Sequence, residues 1–377
     1  MSLKEIFKLI LGWRLILILI AIPAMFLLVP RPRFTNVSEK PAFGNIFSMW
    51  SNFDGSRYLD IAQNGYGYQR KTNADYAFYP VYPWLVRSFS FLGGYLSSGL
   101  IISHASFVLA LYFLYKLILL DFKSKIAKST IYLLLLFPTA FFFGSVYTES
   151  VFLLLVILSF YFARKNNFFL ACAMAGIASA TRVTGIFLWP ALIYEFWLLY
   201  GKDKKFEINP SSIWLSLPPI GLISFLRYQF LQTGDLFFFI KYQTDLAGMA
   251  GNKLILLHQV FFRYSRMVLF MDHLDPLFFT VLLELLSAAL IVLVLIFSLK
   301  KIRFSYWIFT FLSFLLPTFI GSFSSMPRFT LVLFPIFIYL ALWLDRNHPY
   351  FKYFYYLICV VFTIFSVIFF TRGYFVA

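Results

Sequence analysis

The chain has few cysteines, few charges and no nucleotide-binding motif. Its 377 residues include two cysteines, and only 13% of its residues are charged. Cys172 and Cys359 both lie within apolar runs, which predicts small packing residues rather than a disulfide. Neither GxxxxGK[ST] nor GxGxxG occurs, so the usual signals of ATP-driven transport and of dinucleotide chemistry are missing. We therefore expect no cofactor.

Apolar and aromatic residues dominate the composition instead. Hydrophobic residues make up 61% of the chain, aromatic residues 22%, and the mean hydropathy is +0.81, outside the range of soluble domains. Apolar runs of roughly 17–25 residues match the thickness of a bilayer and predict an all-α polytopic membrane protein with about eleven transmembrane helices. We expect one domain over residues 1–377. The predicted spans are 8–29, 97–120, 129–146, 147–163, 168–182, 184–200, 212–231, 277–299, 304–320, 329–344 and 353–371.

Basic residues outnumber acidic residues by 32 to 16. They fall in short clusters between the apolar runs rather than in one stripe, which favours membrane lipids over nucleic acid as the partner. The span order puts all these clusters on one face, and the positive-inside rule makes that face cytoplasmic. The N-terminus is then cytoplasmic and an uncleaved first span follows it. The long first loop, about 30–96, is extracytoplasmic. The clusters are Lys4 and Lys8; Lys123, Lys125 and Lys128; Arg164 and Lys165; Lys202, Lys204 and Lys205; Lys300, Lys301 and Arg303; Arg346 and Lys352.

Five charged residues fall at the opposite, outer ends of the predicted spans. They are Asp54, Glu149, Arg182, Asp235 and Arg328. Charged groups at this depth are costly unless they are paired or reach water. Five on one face predict a shared outer cavity, and the alternative is that each one caps a helix or snorkels to the interface.

The residue types at these positions suggest separate roles. Asp54 can serve as a general base toward a sugar or lipid hydroxyl, or it can cap the helix predicted through SRYLDIAQNGY. Arg182 and Arg328 suit phosphate, because a guanidinium stays charged and binds phosphate oxygens through two parallel hydrogen bonds. Glu149 is expected to orient Arg182 or a neighbouring tyrosine. Asp60 is expected to be structural.

Aromatic residues surround Asp54 in the first loop. Tyr58, Tyr79 and Tyr82 suit stacking on a sugar, although an interfacial aromatic belt is the commoner use of such residues. The segment MDHLD at 271–275 offers carboxylates and an imidazole, but no second cluster completes a site at metal-ligand spacing. We expect no metal.

Several segments resemble, in chain order, the motifs of the PIG-V family, the second mannosyltransferase of glycosylphosphatidylinositol assembly, and of its bacterial relatives. The first is FDGSRYLDIAQNGY followed by YAFYPVYPWLVR. The others are LLFPTAFFFGSVYTESVFLLL, RKNNFFLACAMAGIASATRVTGIFLWP, YQFLQTGD at 228–235 and SMPRFTLVLFPIFIYLA at 325–341. Two positions depart from the pattern, because Phe53 stands where the family has Trp and Phe329 stands where Tyr is usual.

The resemblance implies a GT-C glycosyltransferase that takes its sugar from a lipid phosphate. It implies Asp54 as the catalytic carboxylate, and Glu149, Arg182, Asp235 and Arg328 as motif positions of unassigned role. The donor would be a polyprenyl- or dolichyl-phosphate sugar, mannose in the family, and the acceptor a glycolipid or glycan. One family member works with a partner subunit. We infer a prokaryotic plasma-membrane relative, for which glycosylphosphatidylinositol is not the expected acceptor.

A lipid-linked glycan flippase or transporter is the alternative from another functional class. It shares the apolar body and the charged cavity, and it predicts charged residues along a path at mid-span depth. Lys116, Glu195, Arg227 and Glu284 lie within or near the predicted spans. A non-catalytic subunit that supports another transferase is a third possibility.

Overall fold

The computed structural model describes residues 1–31, 45–67, 74–201, 210–239, 255–319 and 321–376. Within these ranges the chain forms α-helices joined by turns and short 3₁₀ segments, with no β-strand, and the predicted all-α class is confirmed. The helices are α1 (Leu3–Leu27), α2 (Asn45–Ser48), α3 (Asp54–Asn64), α4 (Val81–Ser88), α5 (Gly94–Ile118), α6 (Ser124–Leu136), α7 (Glu149–Arg164), α8 (Phe168–Ser179), α9 (Leu188–Tyr200), α10 (Leu217–Thr233), α11 (Leu257–Phe270), α12 (Pro276–Ser298), α13 (Phe304–Phe319), α14 (Met326–Val332), α15 (Phe334–Arg346) and α16 (Pro349–Thr371).

Five helical segments of the described chain are long and apolar enough to cross a membrane, and the chain is an integral multi-pass membrane protein. A sixth span results if α14 and α15 are counted together, although they meet at a bend of 79°. The predicted count of about eleven is not confirmed. Hydropathy measures composition and not helix continuity, so the predicted span 129–146 covers the end of α6 and a separate 3₁₀ turn at Ala140–Gly144. The five segments are α1, α5, Val183–Tyr200, α12 and α16.

Local signals in the sequence set the starts of two of the long helices. Ser2 and Glu5 form a reciprocal capping box at the start of α1, with the Glu5 amide donating to Ser2 Oγ at 3.2 Å, as this residue spacing favours. The Asp275 carboxylate accepts from the Leu277 amide at 2.8 Å at the start of α12, where proline occupies the first helical position. Asp275, part of the MDHLD segment, is thus a helix cap.

Close backbone contacts hold the interior together. α7 packs between α5 and α8, and α8 in turn packs against α10. At the last interface a Cβ added to Gly221 would lie 1.9 Å from the Gly176 carbonyl oxygen. Ser179 Oγ donates to the Pro218 carbonyl across the same interface at 2.7 Å. Small residues of this kind permit close helix packing in a membrane, where apolar burial between helices supplies little driving force.

Several of the basic clusters meet at one end of the helix bundle. Arg164, at the end of α7, forms two hydrogen bonds to Asp121, at 2.7 and 2.8 Å, next to the basic cluster at the start of α6. Lys125 of that cluster pairs with Asp345 at the end of α15. Segments far apart in the chain are therefore collected at the end that the charge pattern predicts to be cytoplasmic. Which side of the membrane this end faces stays a prediction.

The first loop is attached to the opposite end of the bundle. It contains the short helices α2, α3 and α4, as predicted for this loop. The Asn52 side chain donates to the Phe370 carbonyl at 2.9 Å, and the Asn52 carbonyl accepts from the Tyr147 hydroxyl at 2.7 Å. The Val146 amide donates to the Trp50 carbonyl at 3.0 Å. These contacts position the start of α3 beside the start of α7 and the end of α16.

Candidate functional site

Asp54 is the first residue of α3 and follows a residue with an unusual backbone conformation. Phe53 has φ 56° and ψ −121°, which is strained for a residue with a side chain, and such strain is concentrated at functional sites. Its ring packs against Phe370 and Phe375, at 5.9 Å from each. The Asp54 carboxylate binds Arg328 rather than capping the helix, and its side chain is 37% exposed.

Glu149 links two arginines that are distant in the chain. It opens α7 and is completely buried. Its Oε1 accepts from Arg328 Nε at 3.0 Å and from Arg182 Nη1 at 2.9 Å. Glu149 Oε2 is also buried and has no hydrogen-bond partner among the described residues. Glu149 thus contacts both Arg182 and Arg328, and its role in orienting Arg182 stays a prediction.

Arg328 connects this buried pair to Asp54. Its Nη1 donates to Asp54 Oδ2 at 2.8 Å, while its Nε contacts Glu149. Four of the five predicted outer charges thus form one chain of ion pairs that runs from Asp54 through Arg328 and Glu149 to Arg182. The formal charges of the four side chains sum to zero, and this balance lowers the cost of burying them.

Aromatic rings enclose both guanidinium groups. The Arg328 guanidinium lies 4.9 Å from the Tyr147 ring centroid and 5.1 Å from that of Phe142. The Arg182 guanidinium lies 5.1 Å from the Phe329 ring. These distances are within the range of cation–π attraction, and the rings exclude water and strengthen the ion pairs. Phe329, one of the departures from the PIG-V pattern, needs only its ring for this contact.

The three tyrosines predicted to contact sugar are buried, so none of them presents an open ring face in the described structure. Tyr58 packs edge-on against Tyr82 and Tyr147. Burial raises the pKa of its hydroxyl, and the negative charges of Asp54 and Glu149 raise that pKa further.

Tyr82 is fully buried, and its hydroxyl contacts the Gly99 carbonyl at 3.1 Å and Ser103 Oγ at 2.9 Å. It therefore attaches the first loop to α5. Tyr79 packs against Phe225 of α10 at 4.4 Å, and its hydroxyl has no partner among the described residues. Sugar contact by these tyrosines stays a prediction.

The fifth predicted charge, Asp235, has a local role in the described structure. It follows α10, and its Oδ1 accepts from the Phe237 amide at 2.9 Å. Its own amide donates to Thr233 Oγ1 at 3.2 Å. The bond from the Phe237 amide to the Asp235 side chain closes an Asx turn, which aspartate favours. Residues 240–254, which follow this turn in the loop predicted to face outward, lie outside the described residues.

Two residues of the site were missed by the sequence reasoning. They are Tyr147 and Asn52. The Tyr147 ring contacts the Arg328 guanidinium, and the Tyr147 hydroxyl donates to the Asn52 carbonyl oxygen. Both residues lie within two positions of a predicted site residue. Proximity to Asp54 and Glu149 is therefore the signal that could have identified them.

No group of three histidine, cysteine, aspartate or glutamate side chains within the described ranges is arranged to hold a metal ion. In the MDHLD segment, Asp272 Oδ1 accepts from the Leu274 amide at 2.9 Å, and a ring nitrogen of His273 lies 3.1 Å from the Val268 carbonyl. These side chains serve the turn between α11 and α12.

Comparison with known proteins identifies the fold. No protein-family profile matches the chain, and no curated protein matches it. Among solved structures, ArnT from Cupriavidus metallidurans bound to undecaprenyl phosphate is similar over 92% of this chain, with 15% identity and a TM-score of 0.52. ArnT in the apo state follows with 16% identity and a TM-score of 0.49. The Archaeoglobus fulgidus oligosaccharyltransferase tethered with an acceptor peptide covers 97% of the chain, with 13% identity and a TM-score of 0.45.

At such low identity these likenesses concern the fold alone. The chain has a GT-C type of fold: all-α, multi-pass, with short helices in a long first loop. It spans 62% of the length of ArnT and 55% of that of the oligosaccharyltransferase.

Proposed function

We propose that this protein is a GT-C glycosyltransferase that moves a sugar from a polyprenyl- or dolichyl-phosphate donor to a hydroxyl of a glycolipid or glycan acceptor. The observation that carries the proposal is the ion-pair chain described above. It joins a half-exposed carboxylate, Asp54, to two arginines that are enclosed by aromatic rings.

The geometry around Asp54 suits a general base. Arg328 contacts Oδ2, and no hydrogen bond from the described residues reaches Oδ1. A carboxylate oxygen of this kind can accept the proton of an acceptor hydroxyl. Because Arg328 holds the other oxygen, the carboxylate is oriented before the substrate arrives, and preorganisation of this kind contributes much of enzymatic rate enhancement.

The chemistry is an inverting displacement. The acceptor hydroxyl gives its proton to Asp54, and its oxygen forms a bond to the anomeric carbon of the sugar. The bond between that carbon and the phosphate oxygen breaks, and the electron pair leaves with the lipid phosphate. Arg182 and Arg328 supply positive charge near this site, which stabilises a departing phosphate.

Finer features of the proposal rest on the sequence motifs. The PIG-V resemblance supports mannose as the sugar, and the charge pattern supports a plasma-membrane protein with its N-terminus in the cytoplasm and its site on the extracytoplasmic face. The whole of residues 1–377 would form one catalytic domain. Membrane lipids surround it, and a partner subunit is an additional component to search for.

A transfer assay tests the proposal. Purified protein in lipid nanodiscs would receive undecaprenyl-phosphomannose, or the corresponding glucose and galactose donors, with a lipid extract from a gene-deletion strain as the acceptor source. Mass spectrometry would follow the new glycoside and the released polyprenyl phosphate. Asp54→Asn is expected to lower the rate by about 10² or more, the usual contribution of a general base.

Asp60→Asn is the matched control on the same helix. Asp60 accepts a hydrogen bond from Asn64 at 2.7 Å, and its conversion is expected to change the rate by less than about threefold. Equal rates in wild type and folded Asp54→Asn would remove Asp54 from the role. Absence of transfer from every donor would overturn the proposed function itself.

The transporter alternative predicts free charges along a path through the membrane. Two of the four charged residues that lie within or near the predicted spans instead have close partners. Glu195 accepts from Arg303, and Glu284 accepts from Tyr264 at 2.9 Å. Movement of labelled lipid-linked sugar across sealed vesicles without a new glycosidic bond would favour transport over transfer.

A further inference from the structure

Glu284 is a buried carboxylate that the proposed mechanism does not use. It lies about two turns into α12 and is 4% exposed. Its Oε2 accepts from the Tyr264 hydroxyl of α11 at 2.9 Å, and its Oε1 accepts from the backbone amide of Ser325 at 3.0 Å. A carboxylate buried in a membrane span is costly and marks a functional role. Both oxygens are thereby connected to one short turn: Oε1 directly, through the Ser325 amide, and Oε2 through the Tyr264 hydroxyl, which also contacts that turn.

That turn, residues 321–325, is held by hydrogen bonds from two helices. The Phe323 amide donates to the Tyr264 hydroxyl oxygen at 3.2 Å, and Ser322 Oγ lies 3.1 Å from the same oxygen. Because the Tyr264 proton goes to Glu284, the Ser322 hydroxyl is the donor in the latter contact. Arg263 donates to the Gly321 carbonyl. The Phe323 ring is fully buried and packs against Phe261 at 4.7 Å.

Ser325 ends the turn in a conformation that needs external support. Its φ is 63° and its ψ is 14°, the left-handed region, which is unfavourable for a residue with a side chain. Its side chain makes no capping hydrogen bond to α14. The hydrogen bond from its amide to Glu284 is therefore the contact that stabilises this conformation from outside the turn.

Arg328 follows Ser325 on the first turn of α14. The Phe329 amide donates to the Ser325 carbonyl at 3.1 Å, so the helix that carries Arg328 starts from the strained residue. The position of the Arg328 guanidinium relative to Asp54 and Glu149 thus depends on where the turn places the start of α14. At the other side of α14, Thr139 Oγ1 donates to the Pro327 carbonyl at 3.1 Å.

We propose that Glu284 is a positioning residue: with Tyr264, it holds the turn at residues 321–325 so that Arg328 reaches Asp54 and Glu149. It acts by geometry and not by carrying protons or substrate. The positioning role rests on the proposed function for its catalytic consequence, while the attachment of the turn can be measured separately.

Hydrogen exchange of the full-length protein in nanodiscs measures the attachment. In Glu284→Leu, the amides of Phe323 and Ser325 are expected to exchange about tenfold faster than in wild type, as the loss of a buried hydrogen bond predicts. In Glu284→Gln they are expected to stay protected, because the amide oxygen accepts from Ser325. The amide nitrogen donates to the Tyr264 oxygen, and the Tyr264 hydroxyl proton turns to Ser322 Oγ. Unchanged exchange in Glu284→Leu would overturn the proposal.

The transfer assay measures the consequence. Glu284→Leu is expected to lower the rate per folded molecule by about tenfold, and Glu284→Gln by less than about threefold. In an Arg328→Ala background, the leucine substitution is expected to cause no further loss, because the residue through which Glu284 acts is already gone. Losses that multiply in the double variant would contradict a role through Arg328.

Two further variants keep the test decisive. If Glu284→Leu does not fold, Tyr264→Phe removes one of the bonds to Glu284 with a smaller change in volume, and the same exchange and rate effects are expected at reduced size. Glu195→Leu removes a buried carboxylate at the opposite end of the bundle, where Glu195 binds Arg303 and Ser305. It is expected to lower thermal stability and leave the rate per folded molecule unchanged. If wild type transfers no sugar, the proposed function fails, and the exchange result still decides whether Glu284 holds the turn.

Discussion

Arg328 donates to Asp54 Oδ2 at 2.8 Å, across 274 positions of the chain. The same guanidinium donates through Nε to Glu149 at 3.0 Å. One side chain therefore joins a half-exposed carboxylate to a completely buried one. This arrangement uses two edges of a planar group at once, a geometry that only arginine among the cationic residues provides.

The two edges make Arg328 more sensitive to replacement by lysine than Arg182. Arg328→Lys retains the charge but can reach only one of the two carboxylates, and we expect the transfer rate to fall by about tenfold or more. Arg182 contacts Glu149 through a single nitrogen, so Arg182→Lys is expected to cost less. Rates per folded molecule in the two variants, measured side by side, check this order, and a larger loss in Arg182→Lys would contradict it.

Glu149 is the shared counterion of the two arginines, so its removal leaves Arg182 without its ion-pair partner and leaves Arg328 paired with Asp54 alone. We expect Glu149→Leu to destabilise the protein by about 3–5 kcal/mol. Glu149→Gln keeps an oxygen acceptor but loses the charge, and it is expected to destabilise less. Thermal unfolding in detergent, monitored by the fluorescence of a thiol-reactive dye at the buried Cys172 and Cys359, measures both. A leucine variant as stable as wild type would show that the ion-pair chain does not need its buried carboxylate.

Gly221 is expected to tolerate no side chain, because a Cβ there would overlap the Gly176 carbonyl oxygen at 1.9 Å. Gly221→Ala should force α8 and α10 apart and lower the stability by about 1–3 kcal/mol. Gly12→Ala is the matched control, since nothing lies within 4 Å of its added Cβ, and alanine favours the helix by roughly 0.5–1 kcal/mol. Melting temperatures should therefore shift in opposite directions, and equal shifts would contradict the close contact.

Asp75 lies in the 3₁₀ turn Ala74–Ala77 of the first loop. Because its carboxyl group is buried, we expect it to make the stability of the protein depend on pH. Burial raises the pKa of its carboxyl group above the ordinary value of 3.8, while Arg57, 3.8 Å away, opposes the shift and Asp60 adds to it. The folded state therefore binds the proton more tightly than the unfolded state. The stability that this proton contributes is present below pH 3.8 and is lost as the pH rises through the folded pKa.

Asp75→Asn removes this titration. We expect the melting temperature of the variant, relative to wild type, to increase between pH 4 and pH 7. A difference between Asp75→Asn and wild type that does not change with pH would contradict the burial argument.

Aromatic residues in the first loop illustrate what sequence reasoning could not resolve. Tyr58 and Tyr82 have the composition of a sugar-binding surface, yet their rings pack inside the protein. The difference arises because Asn52 and Trp50 attach the loop to the ends of α16 and α7, and this attachment buries the side of the loop that the tyrosines occupy. A sequence pattern alone does not report which side of a loop is covered.

The five outer charges illustrate the same limit. Their common face followed from counting spans and basic clusters, and four of them meet in space. Asp235 instead forms a turn after α10. Asp235 lies at a span end whether it serves the site or the turn. Only the path of the chain beyond Thr233 therefore decides which of the two roles it has.

The sequence by itself determined that this is an all-α membrane protein, because apolar runs of bilayer length and interspersed basic clusters follow from composition and order along the chain. It also identified the charged residues that need partners. The tertiary structure alone decided how many apolar runs form continuous long helices, that Arg328 joins Asp54 to Glu149, and that Glu284 accepts a hydrogen bond from Ser325 in the turn before Arg328. These contacts join residues that packing brings together from distant parts of the chain, and the distance between such residues depends on every helix that lies between them.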